Sequence, residues 1–244
     1  MVYLKLLRPK DWAKNLFLYL PLFFSGDVFN LIKLFDVFEG FVAFCCIASS
    51  IYIINDYADI ENDRMHPEKR NRPLASGKAK PAIALAISAF LIITGFLIAY
   101  HQGNRFFSLV AIYFSLNIAY SFGLKNIPIL DIIIIAIGFS LRIRSGGAIA
   151  AVEVTIWMNI MVFLLALFMA IGKRRDDVLL TLSSGVNMRK AIEGYTLDFL
   201  NTLLALISAV MIVSYFMYTV SDRVIERHHT NRLYLTSLFV MAGI

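Results

Sequence analysis

Cysteine, histidine and charge are all scarce in this 244-residue chain, and each shortage closes off a class of function. The two cysteines, Cys45 and Cys46, are adjacent within an apolar run, which suits neither a disulfide framework nor a thiolate metal site. The four histidines, His66, His101, His228 and His229, are poorly placed to act as a general base. His66 has no His or Cys close by in sequence and reads as a turn residue. Only 16% of residues are charged, so no soluble domain presents a basic surface, and nucleic acid is excluded as a partner despite a net charge of +6. No segment alternates apolar and polar residues as a membrane barrel strand would. The N-terminus "MVYLKLLRPKDW" lacks the layout of a cleavable signal. No low-complexity linker or tandem period divides the chain.

What remains is apolar. Hydrophobic residues make up 59% of the chain and the mean hydropathy is +0.72, well outside the globular range. Several runs approach the ~20 residues that cross a bilayer as helix, and in lipid a helix satisfies its own backbone. The expected spans are Trp12–Phe24, Phe35–Ile54, Ala79–Tyr100, Phe106–Phe122, Ile127–Ala150, Val154–Ile171, Leu197–Val220 and Leu233–Ile244. The first is short and contains Pro21. The last would make only about 18 Å of helix, short of the ~30 Å hydrocarbon layer. The reading is a single all-α, polytopic membrane domain over residues 1–244, C-terminally incomplete.

Basic residues favour alternate connections. Lys5, Arg8, Lys10 and Lys14 precede or open the first span. Arg64, Lys69, Arg70, Arg72, Lys78 and Lys80 follow the second, Lys125 follows the fourth, and Lys173, Arg174, Arg175, Arg189 and Lys190 follow the sixth. The positive-inside rule then puts the N-terminus and these loops in the cytoplasm of a cell whose plasma (inner) membrane holds the chain. The same charge suits anionic lipid heads or anionic substrates.

The most polar stretch is "NDYADIENDRMHPEKRNRPLASGK", from Asn55 to Lys78. Asp56, Asp59 and Asp63 stand at i, i+3 and i+7 and would share one helix face, with Asn55 beside them. Carboxylates so grouped repel one another unless a cation intervenes. Oxygen-only ligands suit Mg²⁺, which often bridges to substrate phosphates. The plainer alternative is a solvated helix end paired with nearby basic residues. Lys69, Arg70 and Arg72, set between Pro67 and Pro73, carry donors that suit phosphate oxygens, though positive-inside topology alone would also place them there. Arg142 and Arg144 lie within the fifth span, where charge is costly. Arg142 follows Asp131 by eleven residues, close to three turns, so the two are expected on one face. Arg144 lies nearer the outer end, where snorkelling would suffice.

"NDYADIEND" resembles the N-D-x-x-D-x-x-x-D signature of the UbiA-type intramembrane prenyltransferase superfamily. "LRPKDWAKN", "HPEKRNRPLASG", "YSFGLKNIPILD" and "GKRRDD" are similar, in order along the chain, to its decaprenyl-phosphate phosphoribosyltransferase branch. The resemblance implies nine helices around a polar chamber, of which about eight are present here. It also implies Mg²⁺-dependent transfer of 5-phosphoribose from phosphoribosyl pyrophosphate to a polyprenyl phosphate, releasing pyrophosphate. In actinobacteria that product feeds cell-wall synthesis.

On this resemblance Asp56, Asp59 and Lys173 are the expected catalytic residues, and Asp56, Asp59 and Asp63 the metal ligands. Lys14, Asn55, Lys69, Arg70, Arg72, Tyr120, Ser121, Lys125, Arg142, Lys173 and Arg174 are expected to bind substrates. For Lys14, Tyr120, Lys125 and the others at that depth, interfacial anchoring is the bland alternative.

One departure bears on the substrate. Aromatic prenyltransferases of the superfamily carry a second D-x-x-x-D where this chain has "GKRRDD". Three basic residues there favour a donor with an additional phosphate over a prenyl pyrophosphate. An aromatic prenyltransferase, a transporter and an inactive scaffold are the competing readings, and homo-oligomerisation is left open.

Overall fold

A computed structural model describes residues 2–65, 69–184, 192, 194–221, 224, 232–237 and 241. The expectations for His66, Pro67, Arg189, Lys190, His228 and His229, and for half of the last span, concern positions outside these. Among the described residues all regular structure is helical. The α-helices are α1 (Val2–Leu6), α2 (Leu20–Ser25), α3 (Leu31–Ala58), α4 (Ile60–Met65), α5 (Pro81–His101), α6 (Asn104–Ser121), α7 (Leu130–Ile149), α8 (Ile156–Ser184) and α9 (Leu197–Thr219). Of these, α3, α5, α7, α8 and α9 are long and apolar enough to cross a membrane, and the chain is a multi-pass membrane protein. It packs as two compact units, residues 1–127 with 141–154, and residues 128–140 with 155–244.

In the first unit α3 is the spine. Its start is capped by Asn30, whose side-chain oxygen accepts from the amides of Ile32 and Lys33 at 3.1 and 3.3 Å. Helix α5, opened by Pro81 at its first position, lies close against α3 because Gly95 carries no side chain. A Cβ there would stand 2.8 Å from the Ile47 side chain and 3.2 Å from the Ala43 carbonyl oxygen, the close approach that small residues allow between membrane helices. Ser88 Oγ adds a bond to the Ser50 carbonyl at 3.2 Å. A buried cluster of Leu6, Ile53, Leu74, Ala79 and Ala84 joins α1, the C-terminal end of α3, the loop beyond it and the start of α5. That cluster fixes the acidic and basic halves of the 55–78 stretch to one another.

The expected first span is not a single crossing helix. Residues Pro9–Tyr19 form a 3-10 helix and α2 adds six residues. Pro21 has no amide to donate back to Phe17, so an α-helical ladder does not run through it. The three-residue period instead stacks Trp12, Asn15 and Leu18 on one face. Trp12 Nε1 donates to Ser49 Oγ at 3.0 Å. Asn15 Nδ2 donates to Cys45 Sγ at 3.3 Å, and its side-chain oxygen accepts from Arg142 Nε at 2.9 Å. Leu18 meets Gly146, where a Cβ would come 1.9 Å from the Leu18 carbonyl oxygen.

The second unit is built on Ile132, Leu164, Ile171, Leu200, Ile207 and Met211, contributed by the first half of α7, by α8 and by α9. Thr196 caps α9 through its hydroxyl, which accepts from the Phe199 amide at 3.2 Å.

Candidate active site

Helix α3 stops at Ala58. Asp59 caps it, its amide bonding the Asn55 carbonyl at 3.0 Å, and the Asp63 amide bonds the Asp59 carbonyl at 2.8 Å as α4 begins. The expected continuous helical face is therefore broken at Asp59, and the carboxylates divide between two cations. Asp56 Oδ1 and Asp63 Oδ2 converge on Arg72 Nη1, at 3.0 and 2.7 Å. Asp59 turns to Lys125, whose Nζ lies 2.6 and 2.9 Å from its two carboxylate oxygens and 3.3 Å from Asn55 Oδ1. Asp56 and Asp63 are each 3% exposed.

A third cation completes the set. Arg8 Nη2 donates to Asp56 Oδ1 at 2.5 Å, and its guanidinium stacks over Tyr52 with 4.9 Å to the ring centroid. Arg8 has a left-handed backbone, φ 49° and ψ 61°, just before Pro9, which disfavours the right-handed helical region for its predecessor. Sequence reasoning counted Arg8 only toward the charge bias. The signal available was its place in "LRPKDW", ahead of a proline that forces a turn.

The other expected residues fall at varied positions. Lys69 begins a 3-10 turn that ends at Asn71, Arg70 is exposed, and Arg64 Nε ties the loop back to the Ala75 carbonyl at 3.2 Å. Tyr120 and Ser121 close α6 shortly before Lys125, and Ser121 Oγ donates to the Asn117 carbonyl at 3.0 Å. Lys14 Nζ pairs with Asp11 Oδ1 at 2.6 Å in an exposed i, i+3 bridge. Arg142 is buried, its Nη2 donating to Tyr113 Oη at 2.7 Å and its guanidinium 4.8 Å from that ring centroid. It bonds Asn15 and Tyr113 in the first unit. Asp131, the α7 residue expected on the same face, serves a network in the second unit.

There, Arg174 Nε lies 2.5 Å from Asp131 Oδ2 and its Nη1 2.8 Å from Asp177 Oδ2. Tyr195 Oη donates to Asp131 Oδ1 at 2.6 Å and accepts from the Ile129 amide at 2.6 Å. Burial, then the hydrogen bond to Asp131, pushes the Tyr195 hydroxyl well above the usual tyrosine range, so it acts as a neutral donor. Arg174 is 1% exposed. Expected as a phosphate donor, it is committed here to two carboxylates, since a buried guanidinium must be paired. Lys173, its neighbour, is exposed.

Asn55, Asp56, Asp59 and Asp63 form an oxygen-only donor set, the chemistry Mg²⁺ takes. Among the described residues no three His, Cys, Asp or Glu side chains are grouped to hold one ion. The two pairs, Asp56 with Asp63 and Asn55 with Asp59, fit an ion that draws one or two protein ligands and completes its shell with phosphate and water.

Comparison with known proteins gives the family. The UbiA prenyltransferase family matches residues 18–179. A Corynebacterium glutamicum protein named decaprenyl-phosphate phosphoribosyltransferase is 36% identical over 219 residues, 88% of this chain and 66% of that protein. The protein of the same name from Mycobacterium tuberculosis is 30% identical over 215 residues, 86% of this chain and 71% of its own length. The chain thus spans about two thirds of the length of these relatives. In fold it is similar to a UbiA homologue from Archaeoglobus fulgidus solved with DMAPP and Mg²⁺, with a TM-score of 0.76 at 21% identity over 100% of this chain and 84% of that one. With the family pattern across more than half of its length, this chain belongs to the UbiA prenyltransferase family.

Proposed function

We propose that the chain transfers 5-phosphoribose from phosphoribosyl pyrophosphate to a polyprenyl phosphate, releasing pyrophosphate, at the cytoplasmic face of the plasma membrane. The carrying observation is the matched set of Asp56, Asp59 and Asp63 against Arg8, Arg72 and Lys125. Oxygen ligands for a divalent ion and donors for phosphate stand within hydrogen-bond distance of one another, as a metal-bound polyphosphate requires. Similarity to the phosphoribosyltransferases of Corynebacterium and Mycobacterium supports the choice of donor, as does the run Lys173–Arg175 where aromatic prenyltransferases carry a second acidic motif.

Asp56 with Asp63, and Asp59 with Asn55, are the pairs that would hold Mg²⁺, which when bound supplies Lewis-acid stabilisation of charge on the departing pyrophosphate. Arg72 and Lys125, with Lys69 and Arg70 from the same basic loop as Arg72, bind phosphate oxygens. Tyr120 and Ser121 offer hydroxyls to the ribose, and Lys14 meets the lipid phosphate at the membrane surface. As the bond from ribose C1 to pyrophosphate breaks, C1 gains positive character and a lipid phosphate oxygen attacks it. A phosphate monoester is largely ionised at neutral pH, its second pKa being near ~6. No side chain need remove a proton. The protein's work is positioning and electrostatic stabilisation.

The test is a nanodisc assay with radiolabelled phosphoribosyl pyrophosphate and polyprenyl phosphate, run with Mg²⁺ and with a chelator. Label should enter lipid only with Mg²⁺. Transfer seen only with a prenyl pyrophosphate and an aromatic acceptor would replace this reading with the aromatic prenyltransferase.

A further inference from the structure

Asp56, Asp59 and Asp63 are already neutralised. Arg8 and Arg72 hold Asp56, Arg72 holds Asp63, and Lys125 holds Asp59. Three carboxylates therefore face three cations, in a region where Asp56 and Asp63 are almost wholly out of water. A bare divalent cation entering here must strip guanidinium and ammonium groups from their carboxylates and leave them without anions. Bare pyrophosphate must pull the same cations away and leave the carboxylates unpaired. Either step separates partly buried charges, which is costly. Arrival of both together is an exchange of partners, in which carboxylates pass to the metal and cations pass to phosphate oxygens.

We infer that Arg8, Arg72 and Lys125 lock the acidic motif so that it loads a divalent metal and a polyphosphate as one unit and discriminates against either alone. Arg8 is the positioning residue of the lock. Its left-handed backbone and its stacking on Tyr52 hold the guanidinium against the most buried part of the motif. The inference rests on the placement of pyrophosphate at this motif under the proposed function.

Equilibrium dialysis of the full chain in nanodiscs tests it, with radiolabelled Mn²⁺ alone, radiolabelled pyrophosphate alone, and both together. Wild-type protein should bind each ligand alone at least about tenfold more weakly than in the presence of the other. Arg8→Gln should tighten binding of Mn²⁺ alone and shrink the mutual enhancement, whereas Arg8→Lys should retain it. Lys125→Gln acts on the more exposed Asp59 and should show the same pattern if Arg8→Gln does not fold. Equal Mn²⁺ affinity with and without pyrophosphate would overturn the lock, as would unchanged binding of Mn²⁺ alone in folded Arg8→Gln and Lys125→Gln. Phosphoribosyl transfer without mutual enhancement sinks the lock and keeps the proposed function. Mutual enhancement without phosphoribosyl transfer does the reverse.

Discussion

Lys125 Nζ lies 2.6 Å from Asp59 Oδ2, a pairing that spans 66 positions of sequence and joins the turn after α6 to the cap of α3. Lys125→Ala should lower phosphoribosyl transfer by about a hundred- to a thousandfold, the usual cost of losing one preorganised charge-stabilising donor. Its thermal midpoint should change little, because both side chains are part exposed and such pairs contribute little to stability. A large drop in melting temperature with transfer retained would reassign Lys125 to structure.

Asp131 and Arg174 make the opposite case. Both are almost completely buried, so Asp131→Ala leaves a guanidinium in the core with one of its carboxylates gone. The expected destabilisation is about 3–5 kcal/mol, read by thermal or denaturant unfolding in detergent. Tyr195→Phe removes one bond from the same carboxylate and should cost about 1–2 kcal/mol.

The raised Tyr195 pKa carries a pH dependence of definite sign. The folded protein keeps this hydroxyl protonated where the unfolded chain releases it, so its contribution is full below about pH 10, the ordinary tyrosine value. It is lost as pH rises from there through the folded value. Unfolding midpoints followed above pH 10 should therefore fall more steeply for wild type than for Tyr195→Phe. Identical slopes would show that Tyr195 does not stay protonated.

Gly146→Ala and Gly95→Ala should differ in severity. At Gly146 the new methyl meets the Leu18 backbone, whereas at Gly95 its nearest neighbours are the outer atoms of the Ile47 side chain. Gly146→Ala should cost at least about 3 kcal/mol, the upper end for overpacking, and should also disturb the Asn15–Arg142 bond beside it. Gly95→Ala should cost less. Unfolding measurements on the pair decide the order.

Ile129 has a left-handed backbone, φ 67°, which a β-branched residue adopts at about 1–2 kcal/mol. Its side chain is largely exposed, so Ile129→Gly forfeits little burial and should be neutral or stabilising by up to about 1 kcal/mol in the same unfolding assay. A loss above that range would mean that the side chain supports the turn through packing.

Much of this was legible in the sequence. The all-helical membrane class followed from composition and run length. The acidic stretch and its basic neighbour were found from spacing at a membrane boundary. Partner choice was not legible. Periodicity puts Asp56, Asp59 and Asp63 on one face, but it carries no trace of the break at Asp59 that sends two carboxylates to Arg72 and one to Lys125. The run of basic residues around Arg174 marks charge without burial, so its commitment to Asp131 and Asp177 needed the fold. Arg8 was hidden because a pre-proline turn shows where the chain bends, not what the side chain then reaches.

The stacked face of Trp12, Asn15 and Leu18 behaves like a gear with three teeth per three turns. One inserted residue within it rotates everything downstream by a third of a turn, so the indole keeps its seat on Ser49 while the amide leaves Cys45 and Arg142. An insertion of three restores the angle but lengthens the gear by about 6 Å, which pulls Leu18 out of the notch at Gly146. This short stretch is thus bound to one length as well as to one phase, and tolerates substitution on its outward side far better than any change in residue count.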